Sequence, residues 1–174
     1  MEDSEYIIQE EVLLKRAKGG DLDAQSDLAL IYVKRRNYVK AEAWLLHAAN
    51  QGHVDAQFNL GFFYESVLKD YDQAKEFYLK AIKQGDIDAE NNLGWLHERI
   101  YADYNKAEIC YLKAALYGYA RAQYNLGRFY KDIRKDYDKA EGWLLKAIEQ
   151  NFEEAYTKLG ELYLASLKNK EREN

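Results

Sequence analysis

A repeat of 33 residues runs through this 174-residue chain and restricts what it can fold into. The stretch "QFNLGFFYESVLKDYDQAKEFYLKAI" at 57–82 returns as "QYNLGRFYKDIRKDYDKAEGWLLKAI" at 123–148. Leu28, Leu60, Leu93, Leu126 and Leu159 are spaced by 32, 33, 33 and 33, and Tyr38, Tyr71, Tyr104 and Tyr137 each lie 33 apart. Such a period encodes one supersecondary unit that buries its apolar face only against its neighbours. Within each unit, apolar residues recur twice at helical spacing, around "AQFNLGFFY" and again around "DYDQAKEFYLKAI". The unit is therefore a hairpin of two helices, A and B.

The punctuation agrees. Asp70, Asp103 and Asp136 stand where helix B needs an N-cap, and Gly52, Gly85 and Gly118 where it must stop. Asp86 is placed to cap the following A helix. Proline is absent, so each amphipathic stretch is free to form an unbroken helix. Tyr6, Leu14 and Gly20 lie 32 residues before Tyr38, Leu46 and Gly52, which marks 5–19 as a degenerate, capping B helix. Repeats follow at 20–52, 53–85, 86–118 and 119–151, then an A helix at 152–168 and a charged tail at 169–174 expected to fray. The prediction is a single all-α domain of about ten antiparallel helices.

Composition narrows the function classes. A chain that is 48% hydrophobic and 14% aromatic can build a sizeable core. A net charge of -5, with both signs interleaved, opposes a surface made to neutralise phosphates, so neither nucleic acid nor anionic membrane is an expected partner. Cys110 is the single cysteine, the opening "MEDSEY" is acidic, and no apolar run approaches the length of a membrane span. A reducing, cytoplasmic location is the expectation.

The segments "DAQFNLGFFY" (55–64) and "DYDQAKEFYLKAIKQGD" (70–86), with their copies, resemble the Sel1-like repeat, a relative of the tetratricopeptide repeat, over nearly the whole chain. The resemblance implies a right-handed α-solenoid whose A helices line a concave groove. It also implies a non-enzymatic scaffold or adaptor that binds a peptide or protein segment there and needs no cofactor. One departure is visible: Sel1-like units usually carry a Gly-rich insertion between their helices, and here "ESVLKDY" replaces it, which predicts a tighter A-to-B turn.

Recurrence within the chain separates packing from recognition. Columns that stay fixed must make the same contacts in every unit. Ala24, Ala56, Ala89, Ala122 and Ala155 form one, and Ile31, Phe63, Leu96, Phe129 and Leu162 another. The glycine of "LG" suits close approach of helix backbones, as do the paired alanines of helix B. Positions 55, 58, 62 and 65 point the opposite way at helical spacing, and their columns vary: Ser26, Phe58, Asn91, Tyr124, Thr157 in one and Leu30, Phe62, Trp95, Arg128, Glu161 in another. Phe58, Phe62, Trp95 and Tyr124 are expected to form an aromatic strip, unless they are only packing on that side. Asp23, Asp55, Asp88, Glu65 and Glu98 make the first three repeats acidic, whereas Arg121, Arg128 and Lys131 make the fourth basic. The expected ligand is a protein segment with apolar side chains on Phe62 and Trp95 and an acidic group on Arg121 and Arg128; Asn91, Arg99 and Lys131 complete the candidate surface.

Other features point elsewhere. Asn59, Asn92 and Asn125 recur in one column, and Phe58 and Phe62 stand where a carboxylate clamp of the tetratricopeptide type would need lysine and asparagine. Ser66-Val67-Leu68-Lys69 spells S-x-x-K, the nucleophile motif of penicillin-recognising hydrolases, but its "SDN" and "KTG" partners are missing. His47, His53 and His97 lack ligand spacing, and no metal is expected. Cys110 shares a column with Trp44, Phe77 and Trp143 and reads as a small buried hydrophobe. Leu159, Leu162, Tyr163 and Leu167 lie on a final A helix with no B helix to cover them, so a homodimer through that end is the alternative.

Overall fold

The B helices of the second, third and fourth repeats open on the side chains that the sequence assigns to them. In the computed structural model, the carboxylates of Asp70, Asp103 and Asp136 accept from the backbone N–H groups of Gln73, Lys106 and Lys139, and Asn37 does the same for Lys40. Asp86 caps the A helix after it by accepting from Ala89 N–H at 2.6 Å. The structure describes the backbone of residues 2–173 and the side chains of 10–165. Among these lie ten α-helices: α1 (Glu2–Lys18), α2 (Leu22–Lys34), α3 (Tyr38–Asn50), α4 (Val54–Phe63), α5 (Tyr71–Ile82), α6 (Ile87–Arg99), α7 (Tyr104–Leu116), α8 (Ala120–Phe129), α9 (Tyr137–Glu149) and α10 (Glu153–Glu173). Odd-numbered helices are of type B and even-numbered ones of type A. The chain forms two compact units, Met1–Ala89 and Glu90–Asn174.

The helix stops are also where the sequence places them. Gly20, Gly52, Gly85 and Gly118 have φ of 93°, 86°, 90° and 85°, a left-handed backbone that glycine adopts without cost. Asn151 takes the role after α9, with φ 60°.

Two elements differ from expectation. The A-to-B connection is not simply tighter: Tyr64–Leu68 and Tyr130–Arg134 form a wider π-helical turn that closes on Lys69 and Lys135, both with φ 58°. Asp70 N–H then reaches back to the Tyr64 carbonyl at 3.0 Å. The second difference is α10, which runs to Glu173 and so takes in most of the segment expected to fray. Lysine, glutamate and arginine there favour helix, and no glycine or proline interrupts them.

The fixed columns form the core. Ala24, Ala56, Ala89, Ala122 and Ala155 have no exposed surface, nor do Ala41, Ala74, Ala107 and Ala140 of the B helices. The "LG" glycines show why. A β-carbon on Gly61 would meet the Tyr78 ring at 2.7 Å, one on Gly94 the Tyr111 ring at 2.8 Å, and one on Gly127 the Leu144 side chain at 2.8 Å. Gly160 of α10 is the contrast, with nothing within 4 Å.

Two recurring ties went unread in the sequence. Gln25, Gln57 and Gln123 are buried and donate through Nε2 to the carbonyls of Ala17, Ala49 and Ala115, clasping an A helix to the end of the B helix before it. Tyr64 and Tyr130 donate from their hydroxyls to Glu42 and Glu108, each at 2.7 Å. Burial, aided by these carboxylates, raises both phenols, Tyr130 to about 12. Hydrogen-bonding columns of this kind fix one helix face inward and leave the opposite face free to vary.

Candidate functional site

In the Met1–Ala89 unit, the variable face of α2 and α4 is largely apolar at its centre. Leu30 and Phe62 occupy equivalent positions and are 41% and 49% exposed. Phe58, one turn before Phe62, is half-buried, its ring 6.0 Å from that of Tyr78. Beneath them, Asn59 Nδ2 donates to Ser26 Oγ at 3.1 Å, tying α4 to α2. Carboxylates follow along the same face: Asp23, held by His53 at 2.8 Å, then Asp55, then Glu65. Glu65 is half-buried and accepts from the Tyr78 hydroxyl at 2.7 Å; burial raises its carboxyl, while Tyr78 and Lys69 oppose the rise.

The corresponding face of the Glu90–Asn174 unit is more polar and more strongly cross-tied. Asn91 is 2% exposed, donates to Asn92 Oδ1 and accepts from Asn125 Nδ2 at 2.9 Å. Arg128 holds Glu98 through both terminal nitrogens, at 2.8 and 2.5 Å, and the Tyr111 hydroxyl donates to the same carboxylate at 2.9 Å. Burial works against the Arg128 charge, yet the bonds to Glu98 hold its pKa above the ordinary value. Lys131 lies between Asp132 and Glu161, at 3.3 and 2.8 Å. Its bond and that of Lys158 pull the Glu161 carboxyl down to about 2.

The candidate residues thus divide. Asn91, Arg128 and Lys131 are engaged inside the protein, with only 12% and 13% of the Arg128 and Lys131 side chains exposed. Phe62, Trp95, Arg99, Arg121 and Tyr124 retain open surface; the Tyr124 ring lies 5.2 Å from that of Phe152, and Arg99 is 3.3 Å from Glu98. A rule connects the engaged cations: the face position at or just past the end of one A helix pairs with the position 30 residues later, as Glu98 does with Arg128 and Lys131 with Glu161. Charges that look unrelated column by column complement each other between columns.

Remaining candidates fit structural roles. Ser66 sits in the π-helical turn, its hydroxyl donating to the Phe62 carbonyl at 2.6 Å, and the equivalent residue of the later turn is Asp132. Cys110 is buried, and burial together with neighbouring Glu90 pushes its thiol up to about 12. His97 is buried at 6% exposure. Among the described residues, no group of three His, Cys, Asp or Glu could hold a metal ion, and no helix is long and apolar enough to cross a membrane. The Leu167 side chain lies outside the described residues.

Four consecutive matches to the Sel1 repeat cover residues 22–53, 54–86, 87–119 and 120–152. Among solved structures, the chain is similar to c5321, a protective antigen of uropathogenic Escherichia coli strains displaying an SLR fold, with 31% identity and a TM-score of 0.79. That alignment covers 91% of this chain and 37% of the antigen. A Sel1 repeat protein from Oxalobacter formigenes aligns with 28% identity and a TM-score of 0.76, over 88% of this chain and 66% of the other. The immunity protein Pa5087 of Pseudomonas aeruginosa, at 22% identity and a TM-score of 0.59 over 84% of this chain and 59% of that one, shares the fold. The chain spans between about a third and two thirds of the length of these structures. No curated protein matches it.

Proposed function

The chain belongs to the Sel1 repeat family, and on that premise we propose that it is a non-catalytic scaffold holding a segment of another protein against the variable face of its A helices. Repeats of this family commonly serve as protein-interaction scaffolds. The observation that carries the reading is Phe62, a large aromatic side chain 49% exposed on a helix whose fixed columns are fully buried. Exposed apolar surface gathered on one face, here with Leu30, is what a partner would cover. Phe58 supports Phe62 in the first unit. In the second unit, Trp95 and Tyr124 supply aromatic surface, and the exposed guanidinium groups of Arg121 and of Arg99, the latter 3.3 Å from Glu98, are within reach of an acidic group of the ligand. Asn91, Arg128 and Lys131 hold that surface in position from beneath.

The test is capture of partners from a lysate of the source cell by the wild type and by a Phe62→Ala/Trp95→Ala variant shown by circular dichroism to remain helical. Loss of a retained protein from the variant supports the reading, and retention of the same set by both overturns it.

Self-association is a second reading, favoured by α10. Tyr156, Tyr163 and Leu164 are 54%, 45% and 60% exposed there, and the Gly160 position that other A helices close with a B helix is open. A molar mass by light scattering that stays at one chain at high concentration eliminates this reading.

A further inference from the structure

Two repeats pair a glutamate at or just past the end of helix A with a tyrosine of helix B: Glu65 with Tyr78, and Glu98 with Tyr111, each 13 residues apart. In the second unit the pair is occupied, because the Arg128 guanidinium lies on Glu98 through two hydrogen bonds. In the first unit, no lysine or arginine among the described residues makes an ion pair with Glu65. The sequence differs at the matching column. The residue 33 positions before Arg128 is Trp95, which carries no charge. The glutamate and its tyrosine are retained, but among the described residues no guanidinium pairs with Glu65.

We propose that Phe58, Phe62, Glu65 and Tyr78 form a receptor for an arginine side chain of the bound protein segment, seated on Glu65 as Arg128 is seated on Glu98. The proposal rests on the scaffold reading above and adds the chemistry of the partner. A guanidinium matches a carboxylate through two parallel N–H bonds, and its flat face stacks on aromatic rings, which Phe58 and the exposed Phe62 provide. Lysine has neither the fork nor the plane. The surroundings favour a cation as well: Asp55 shares this face, and Asp86 feels the charges of both Asp88 and Asp55. Burial raises the Glu65 carboxyl despite the Tyr78 hydroxyl and the nearby charge of Lys69, and an arriving guanidinium relieves that cost.

The experiment is a titration of the isotopically labelled full chain with N-acetyl-arginine amide, followed by amide NMR shifts. Neutral N-acetyl-citrulline amide and N-acetyl-lysine amide serve as comparisons. We expect saturable shifts at residues 62–66 and at Tyr78 with the arginine compound, no saturation with citrulline, and binding roughly tenfold weaker in Glu65→Gln. Equal shifts from citrulline, unchanged arginine binding by Glu65→Gln, or shifts confined to Asp55, Asp86 and Asp88 would each overturn the proposal. Glu65→Gln keeps the shape of the side chain, and its unliganded spectrum reports whether the fold is intact. The two readings fail separately: capture that depends on Phe62 but not on Glu65 removes the arginine receptor alone, whereas capture indifferent to Phe62 removes the scaffold surface itself.

Discussion

Replacing glycine by alanine in the "LG" column should change stability in opposite directions at two places. In a helix interior the substitution alone gains about 1 kcal/mol, because alanine loses less backbone freedom on folding. At Gly61 the new methyl would sit 2.7 and 2.8 Å from two Tyr78 ring carbons and 3.2 Å from the Ala74 carbonyl oxygen. Tyr78 cannot swing aside, since it has no exposed surface and its hydroxyl is held by Glu65. Overpacking of this kind costs about 1 to 3 kcal/mol, so Gly61→Ala should lose up to about 2 kcal/mol net. At Gly160 no atom lies within 4 Å, and the full gain of about 1 kcal/mol should remain. Urea unfolding followed by circular dichroism reads both, provided the slope with denaturant is unchanged. Shifts of the same sign would refute the claim that these glycines exist to admit a B helix.

Lys69→Gly and Lys135→Gly should each stabilise by about 1 kcal/mol by removing a left-handed non-glycine residue, seen as a rise of roughly 2–4 °C in Tm. Arg128→Ala should cost about 3 kcal/mol in urea unfolding because it removes the two-pronged partner of the buried Glu98 carboxylate, leaving it Tyr111 and the exposed Arg99, whereas Arg121→Ala should stay within about 0.5 kcal/mol. Cys110, its thiol raised to about 12, should react with a disulfide reagent roughly a thousandfold more slowly in the native chain than in urea. Because burial raises the folded pKa of Glu65 above its reference of 4.5, the wild type should lose stability relative to Glu65→Gln as pH rises through the folded pKa. Thermal unfolding of the two at neutral and acidic pH checks this; a gap that does not widen towards neutrality contradicts it.

The repeat, its helix caps and its alanine columns were legible in the sequence because each is a local signal copied in phase. Asp70 and Gly85 declare a helix start and stop wherever they recur, and neighbouring repeats require the same small residue at Ala56 and Ala122. The candidate surface was harder to read because a varying column has two causes. Phe62 varies with its face exposed, whereas Arg128 and Glu161 differ because Glu98 and Lys131, each 30 residues earlier, carry opposite charges. Reading columns singly cannot separate release from compensation. The π-helical turn left no cue either, since Lys69 and Lys135 are not residues that ordinarily mark a left-handed backbone.

The central claim is that the variable A-helix face meets a partner. A photo-crosslinking amino acid placed at position 62, and in a second variant at Leu116, which is 69% exposed at the end of α7, tests it in the source cell. A discrete crosslinked polypeptide from position 62 and none from position 116 is the predicted result. Crosslinking from position 116 alone would contradict the account and move recognition to the B helices.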